Sequence, residues 1–213
     1  FPCGRNGRVM QIPLPIDWRS RSRSGGIVIG EGNRDALDML ARPECWPSHC
    51  ALLIGPPRSG RSTIAAALAQ EGVVEVVDDA DTADEAELFH RWNAAREANR
   101  HLLLVAADAP PRWTVTLPDL RSRLSAAAIA RIDTPDETMI EAMIAQGLAE
   151  AGASFGADVP RYLAPRLSRC YQDIETAVAA LNNESLSSSR KISLPRARTV
   201  LEGIGLLPSE DQS

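Results

Sequence analysis

The chain has 213 residues, enough for one medium domain or a domain with a subdomain. A net charge of −5 argues against general nucleic-acid binding, and no run approaches the roughly 18 apolar residues of a membrane span. Four cysteines (Cys3, Cys45, Cys50, Cys170) are too sparse for a disulfide framework and no apolar leader opens the chain, so the expected compartment is a reducing cytoplasm. Hydrophobic content of 44% with only 4% aromatics predicts a core of Ala, Leu, Ile and Val.

Residues 1–26 read as a tail, with Met10 as a natural start. Gln11-Ile12-Pro13-Leu14-Pro15-Ile16 cannot be helical with prolines at 13 and 15; it is extended and apolar enough to want a partner surface, the alternative being its own domain. Arg19, Arg21 and Arg23 alternate with serines before two glycines, the pattern of a solvated basic linker. A short apolar element, 27–30, leads through Glu31-Gly32-Asn33 to a helix predicted over 34–41, and a loop with two prolines covers 43–50. Cys45, His49 and Cys50 lie close together there, but a structural zinc site takes four ligands and no fourth is at hand, so no metal is expected.

The apolar run Ala51-Leu52-Leu53-Ile54 predicts a buried strand, and Thr63 to Ala69 predicts a helix. Between them lies Gly55-Pro56-Pro57-Arg58-Ser59-Gly60-Arg61-Ser62. Strand, glycine-rich turn and helix form the setting of a phosphate-binding loop, in which backbone N–H groups and a helix N-terminus face an anion. The pattern is G-x-x-x-x-G-K-[ST] with Arg61 in place of lysine, and Ser62 keeps the hydroxyl suited to Mg²⁺. A strand from Val73 to Val77 then ends in Asp78 and Asp79. Opposite a phosphate loop, one carboxylate suits the metal through water and the other the attacking water.

An amphipathic helix is predicted over 82–98, with Ala86, Leu88, Phe89, Trp92 and Ala95 toward one face. His101 to Ala107 reads as a buried strand with Asp108 at its end, and the strand-end rule for open parallel sheets puts Asp78, Asp79 and Asp108 on one edge beside the loop. Leu117 to Leu124 predicts a short helix and Ala128 to Ile132 the last strand. Helices are then predicted near 135–151, 160–169, 170–183 and 194–203, with breaks at Gly152–Gly156 and in the serines of 185–189. The expected division is a tail (1–26), an α/β nucleotide-binding part (27–133), a small all-α lid (134–207) and a polar, disordered end (208–213).

The phosphate loop, the Asp78-Asp79 pair, the Asp108 strand, the segment Leu117-Pro118-Asp119-Leu120-Arg121-Ser122-Arg123-Leu124 and the helical end together resemble an AAA+ ATPase over residues 10–207. More narrowly they resemble the Hda group, DnaA-related regulators that inactivate bacterial replication initiation. Arg61 within the loop, Arg190-Lys191-Ile192-Ser193-Leu194-Pro195 in the lid and the Gln11–Pro15 peptide carry the narrower likeness. The fold implied is a P-loop NTPase with a parallel sheet plus a small all-α lid. The family usually has one more strand and helix between the phosphate-loop helix and the Asp78 strand, so the sheet is expected to be one strand short. The nucleotide implied is ADP or ATP with Mg²⁺, bound by Gly55, Pro56, Pro57, Arg58, Ser59, Gly60, Arg61, Ser62 and Thr63, with Ser62 and Asp78 toward the metal. Asn33 is implied near the adenine, Asp78 and Asp79 as the Walker B acids, Asp108 as the sensor 1 residue, and Arg169, or Arg166 three residues away, as the sensor 2 arginine.

The resemblance also implies that Gln11, Ile12, Leu14, Pro15 and Ile16 bind the sliding clamp, the β subunit of the DNA polymerase. Arg123 is implied as an arginine finger acting in trans on ATP bound to DnaA; a surface salt bridge with Asp119, four residues earlier, is the plainer alternative. DnaA itself continues into a helix-turn-helix domain, and this chain stops at 213. Two rivals stay open, a self-sufficient ATPase that loads or remodels a partner and a nucleotide-binding adaptor without hydrolysis. A homodimer or larger homo-oligomer is open as well; membrane association and strong direct DNA binding are not expected.

Overall fold

The computed structural model describes residues 26–70, 72, 74–188 and 190–208. The segment Gln11–Ile16, the basic linker and the residues after Pro208 lie outside the described residues. Eight α-helices and four strands are described: α1 (Glu31–Leu40), β1 (Cys50–Ile54), α2 (Arg61–Ala69), β2 (Val74–Val77), α3 (Glu85–Glu97), β3 (His101–Ala106), α4 (Pro118–Ala126), β4 (Ala128–Arg131), α5 (Glu137–Glu150), α6 (Asp158–Leu163), α7 (Tyr171–Ser188) and α8 (Leu194–Gly203). Two 3-10 turns, Pro43–Cys45 and Pro47–His49, replace the plain loop expected over 43–50. The chain forms two compact units. One holds Asp35–Gly55 and Gly60–Ile132; the other holds residues 26–34, Pro56–Ser59 and the chain from Asp133 on.

In the α/β unit the four strands run parallel in the order β2-β3-β1-β4. The expected α/β class and short sheet are thus what forms. Only residues 70–73 separate α2 from β2, too few for a further strand and helix. β1 is buried at all five positions, as a central parallel strand covered on both faces must be. Its alternate residues Cys50, Leu52 and Ile54 join Leu102, Leu104 and Ala106 of β3, Leu88, Trp92 and Ala95 of α3, and Leu120 and Leu124 of α4 in one apolar cluster. Ala51, Leu53, Leu103 and Val105 are buried on the opposite pleat, and α2 packs on β1, β2 and β3 through Ile64, Ala65, Ala67 and Leu68. Ala86, expected on the apolar face of α3, is exposed.

Among the described residues β2 is an edge, and charge closes it. Glu75 lies between Arg91 (3.1 Å) and Arg100 (3.0 Å), and Arg91 Nη2 also donates to the Val76 carbonyl (3.2 Å). Bulky paired charges on an edge strand block pairing with another chain.

In the helical unit α5, α6, α7 and α8 enclose Ile140, Ile144, Leu148, Val159, Leu163, Ile174, Leu181, Ala197 and Leu201. Asp136 caps α5, accepting from Met139 N–H (2.8 Å) and from Glu31 N–H (3.0 Å), and these bonds, Met139 first, hold its carboxyl below the usual aspartate range. The same contact explains why α1 starts at Glu31, three residues before the expected Arg34. α6 ends at Leu163, short of the expected 169, because Pro165 has no N–H to continue the ladder. α7 runs on through Ser188, past the break expected in the serines: Ser187 and Ser188 hydroxyls both donate to the Glu184 carbonyl (3.1 and 2.8 Å), so they bond back into the helix instead of leaving it.

α5 and α7 touch through a glycine. A Cβ at Gly147 would stand 2.8 Å from Val178 Cγ1. Gly147→Ala should therefore destabilise the protein by about 1–3 kcal/mol from overpacking, although alanine is the better helix former. Adding Val178→Ala should recover part of that loss; urea unfolding of the two single variants and the double variant checks the coupling.

Candidate functional site

The phosphate-loop segment takes backbone shapes that few side chains accept. Arg58 has φ 63° and Gly60 φ 85°, and Ser59 N–H donates to the Pro56 carbonyl (3.3 Å). Gly60 needs its missing Cβ at that φ, and its carbonyl accepts from Ile64 N–H (2.9 Å), opening α2. Ser59 is buried, and its hydroxyl has no hydrogen-bond partner. Buried polar atoms are seldom left alone in a finished structure, so an orphan in this loop fits a site completed by a ligand. Pro57, Ser62 and Thr63 are exposed and Gly55 is buried.

At the start of α2, Arg61 sits where the motif has lysine, and its Nη1 donates to the Ala106 carbonyl at the end of β3. The register sets Ile54 level with Ala106, and Val77 level with Leu104, so β1, β2 and β3 end on one edge. Asp78 and Asp79 follow β2 there and are exposed; Asp108 follows β3 and is half-buried. Asp79 has φ 49°, its N–H donates to Asp78 Oδ1 (3.1 Å), and its carbonyl accepts from the N–H and hydroxyl of Thr82 (both 3.0 Å). Asp108 pairs with Arg112 one turn on (3.4 Å). Hydroxyl and carboxylate oxygens of this kind suit a hard cation such as Mg²⁺. Among the described residues no group of three or more His, Cys, Asp or Glu could hold a metal by itself. Cys50 is buried, which pushes its thiol pKa far up, and His49 lies beside His101, whose pKa is lowered first by burial.

Asp81 escaped sequence reasoning. Its Oδ2 accepts from Ala107 N–H (2.9 Å), and Ala80 N–H donates to the Val105 carbonyl (2.8 Å), so the turn after β2 is tied to the end of β3. The third acid in Asp78-Asp79-Ala80-Asp81 was visible; which of the three braces the edge was not.

Arg123 lies on α4 and is half-buried. Its Nη1 donates to Asn93 Oδ1 of α3 (2.7 Å), and its guanidinium lies 4.3 Å from the Phe89 ring centre and 6.0 Å from that of Trp92. The salt bridge with Asp119 is absent from the described ion pairs. α4 is held at its start by Glu85, whose carboxylate accepts from Thr116 N–H (2.8 Å), Thr116 hydroxyl (2.8 Å) and Leu117 N–H (2.6 Å).

In the helical unit, Asn33 is buried with both amide atoms engaged: Oδ1 accepts from Gly30 N–H (3.0 Å) and Nδ2 donates to the Val28 carbonyl (2.7 Å). Arg58 pairs with Glu175 at 3.4 Å. Arg166 is stacked on Tyr162 (3.9 Å) and donates to its carbonyl (2.9 Å), whereas Arg169 makes only a long, exposed pair with Glu137 (3.8 Å) among its described contacts. Tyr171 donates its hydroxyl to the Asp133 carbonyl (2.9 Å), and burial pushes its pKa up to about 12.

No family model matches the chain. Its fold matches domain III of the replication initiation protein DnaA from Thermotoga maritima with a TM-score of 0.72 at 14% identity, covering 86% of this chain and 96% of that domain. AMPPCP-bound DnaA from Aquifex aeolicus matches with a TM-score of 0.63 at 15% identity, over 83% of this chain and 68% of that one. The Thermotoga maritima RuvB Holliday junction branch migration motor matches with 0.55 at 15% identity, over 72% and 61%. At such identities the likeness establishes the fold: this chain has the AAA+ P-loop fold. No helix of the described residues is long and apolar enough to cross a membrane.

The hydrogen bonds from Thr116 and Leu117 hold the Glu85 carboxyl below the ordinary glutamate range, backbone bonds first. A depressed folded pKa means that this contribution to stability is present above the ordinary range and lost as pH falls through the folded value. Glu85→Gln should lower stability between pH 6 and 8, where that contribution is present, and converge on the wild type as pH falls, which flattens the acid side of the stability-against-pH curve; thermal unfolding across pH reads it.

Proposed function

We propose that this chain, with the AAA+ fold of DnaA domain III, binds ADP or ATP with Mg²⁺ at Gly55–Thr63 and acts as a DnaA-related regulator that lends Arg123 to a partner's nucleotide. One observation carries the preference for a regulator over a self-sufficient ATPase. The cation of the phosphate loop, Arg61, is tied to the Ala106 carbonyl. Lysine at that position is a compact point charge; a planar guanidinium held by a strand-end carbonyl can still attract phosphate but is poorly placed to follow charge as it moves during transfer. Binding is kept on this reading, and turnover is weakened. The orphan Ser59 hydroxyl, the exposed Ser62 and Thr63 hydroxyls and the carboxylates of Asp78, Asp79 and Asp108 are the groups that would hold the nucleotide and its metal. Bound nucleotide supplies a polyanion that sets the shape of the loop.

The partner in this reading is ATP-bound DnaA. Arg123 enters the partner's nucleotide site and stabilises the negative charge that builds on the transferred phosphoryl oxygens. An arginine given in trans is worth about 10³–10⁵ in rate. The product, ADP-DnaA, does not start another round of initiation. Gln11–Ile16 docks on the DNA-loaded sliding clamp, Gln11 in a polar pocket and Leu14 with its apolar neighbours in a greasy groove. Such a peptide is weak alone, and tethering to a ring on DNA raises the local concentration of the AAA+ part. A second reading, a nucleotide-binding adaptor without hydrolysis, shares the weakened turnover that follows from the tie of Arg61 to the Ala106 carbonyl.

The deciding experiment is ATP hydrolysis by purified DnaA with clamp loaded on DNA. The wild-type chain with ADP should accelerate it, and Arg123→Ala should lower the stimulated rate by about two orders of magnitude or more. Gln11→Ala should weaken stimulation only when clamp is present. Stimulation that survives Arg123→Ala, or none from the wild type, overturns the regulator in favour of the adaptor. In a separate assay without DnaA, ADP should bind the wild-type chain, and Arg61→Lys should raise its own slow ATP turnover by about tenfold, a lowering of the barrier by about 1.4 kcal/mol. Rapid turnover by the wild type, abolished by Asp79→Asn, would instead mark a self-sufficient ATPase.

A further inference from the structure

α3 meets the segment that carries Arg123 along one stripe. Glu85, Phe89 and Asn93 are spaced i, i+4 and i+8, so they project from one side of the helix. Each makes a different contact. Glu85 accepts from three donors of Thr116 and Leu117, the residues just before α4. Phe89 presents its ring to the Arg123 guanidinium at 4.3 Å, within cation–π range. Asn93 Oδ1 accepts from Arg123 Nη1 at 2.7 Å. The stripe is polar at two of its three positions, which packing of α4 alone does not require: Leu120 and Leu124 already serve that purpose in the core.

A free arginine side chain samples many rotamers, and ordering it at the moment of association subtracts from binding. Here the ordering precedes any partner. The helix is set by one end of the stripe and the guanidinium by the other. Arg123 as a residue is half-buried and so not sealed from solvent. A guanidinium has five N–H donors, and the Asn93 bond uses one.

We propose that the Glu85–Phe89–Asn93 stripe of α3 is a positioning device for Arg123, fixing the helix that carries it and the direction of its guanidinium. The proposal rests on the trans-arginine reading above. Phe89 and Asn93 are positioning residues in this scheme, acting through Arg123 and not on the partner's nucleotide.

Two measurements test it, both on the full chain. The first is ¹⁵N NMR of the arginine side chains in the protein alone, with the Arg123 signals assigned by their loss in Arg123→Lys. The wild type should give separate, slowly exchanging Nη resonances for Arg123. Asn93→Ala should merge them as in exposed arginines, and Asn93→Asp, which keeps an acceptor, should retain them. Averaged signals in the wild type, or no change in Asn93→Ala, overturn the proposal. The second is DnaA ATP hydrolysis as a function of added chain. Asn93→Ala and Phe89→Leu should each lower the maximal stimulated rate about tenfold with the half-saturating concentration within about twofold of wild type, and Asn93→Asp should recover most of the rate. An unchanged maximum with a raised half-saturating concentration means that Phe89 and Asn93 contact the partner directly, and overturns positioning. If the wild type stimulates and the variants match it, the positioning proposal alone falls. If the wild type gives no stimulation, the trans-arginine reading fails and the proposal falls with it.

Discussion

The pairing of β1 with a parallel neighbour on each side governs the α/β unit. Parallel strands in register end together, and the register here levels Ile54 with Ala106 on one flank and with Arg131 on the other. The placement of the candidate groups on this edge depends on that alignment: the loop leaves from β1, Asp78 and Asp79 from β2, and Asp108 from β3. β1 is apolar at each position and buried on both faces, so a one-residue slip would move every side chain to the wrong layer. That edge is thus fixed by Cys50-Ala51-Leu52-Leu53-Ile54, whose side chains are all buried.

Much of this was legible in the sequence because it depends on local pattern. Apolar runs of four to six residues between turn signals marked β1, β2, β3 and β4, and glycines with a following Arg-Ser marked the loop and the start of α2. Local pattern misled where the hydrogen-bond partner of one group decided the outcome. The serines of 185–189 read as a break, yet Ser187 and Ser188 bond to Glu184 within the helix. α1 starts early because Asp136, over a hundred residues away, accepts from Glu31 N–H. The candidate site divides the same way. The residue types and their order along the edge could be read; their hydrogen bonds could not. Nothing local told that Asp81 would brace β3, or that Asn33 would spend both amide atoms on its own backbone neighbours.

Arginine recurs as a structural tie. Lys191 is the one lysine among the 23 lysines and arginines of the chain. Arginine at position 61 therefore agrees with the composition, and its bond to Ala106 says more than its identity does. Several others end on carbonyls or rings in the same manner: Arg91 on Val76, Arg121 on Val115, Arg166 on Tyr162, Arg123 on Phe89. A planar fork with several donors can hold a strand end or a helix start and keep part of its surface for a ligand, which a compact ammonium does less well. The chain relies on these forks to brace the ends of its elements, and the candidate functional arginines belong to the same set.

The edge at β2 has a further consequence. Among the described residues the sheet ends at a strand guarded by Glu75, Arg91 and Arg100. The arginines are 36% and 52% exposed, so mobile ions reach them, and the Debye length shrinks from about 10 Å at 0.1 M to about 3 Å at 1 M salt. Ionic strength thereby acts on the cover itself: added salt screens the attraction that holds Arg91 and Arg100 over Glu75. The edge of this sheet thus carries an electrostatic cover whose strength is set by the surrounding solution.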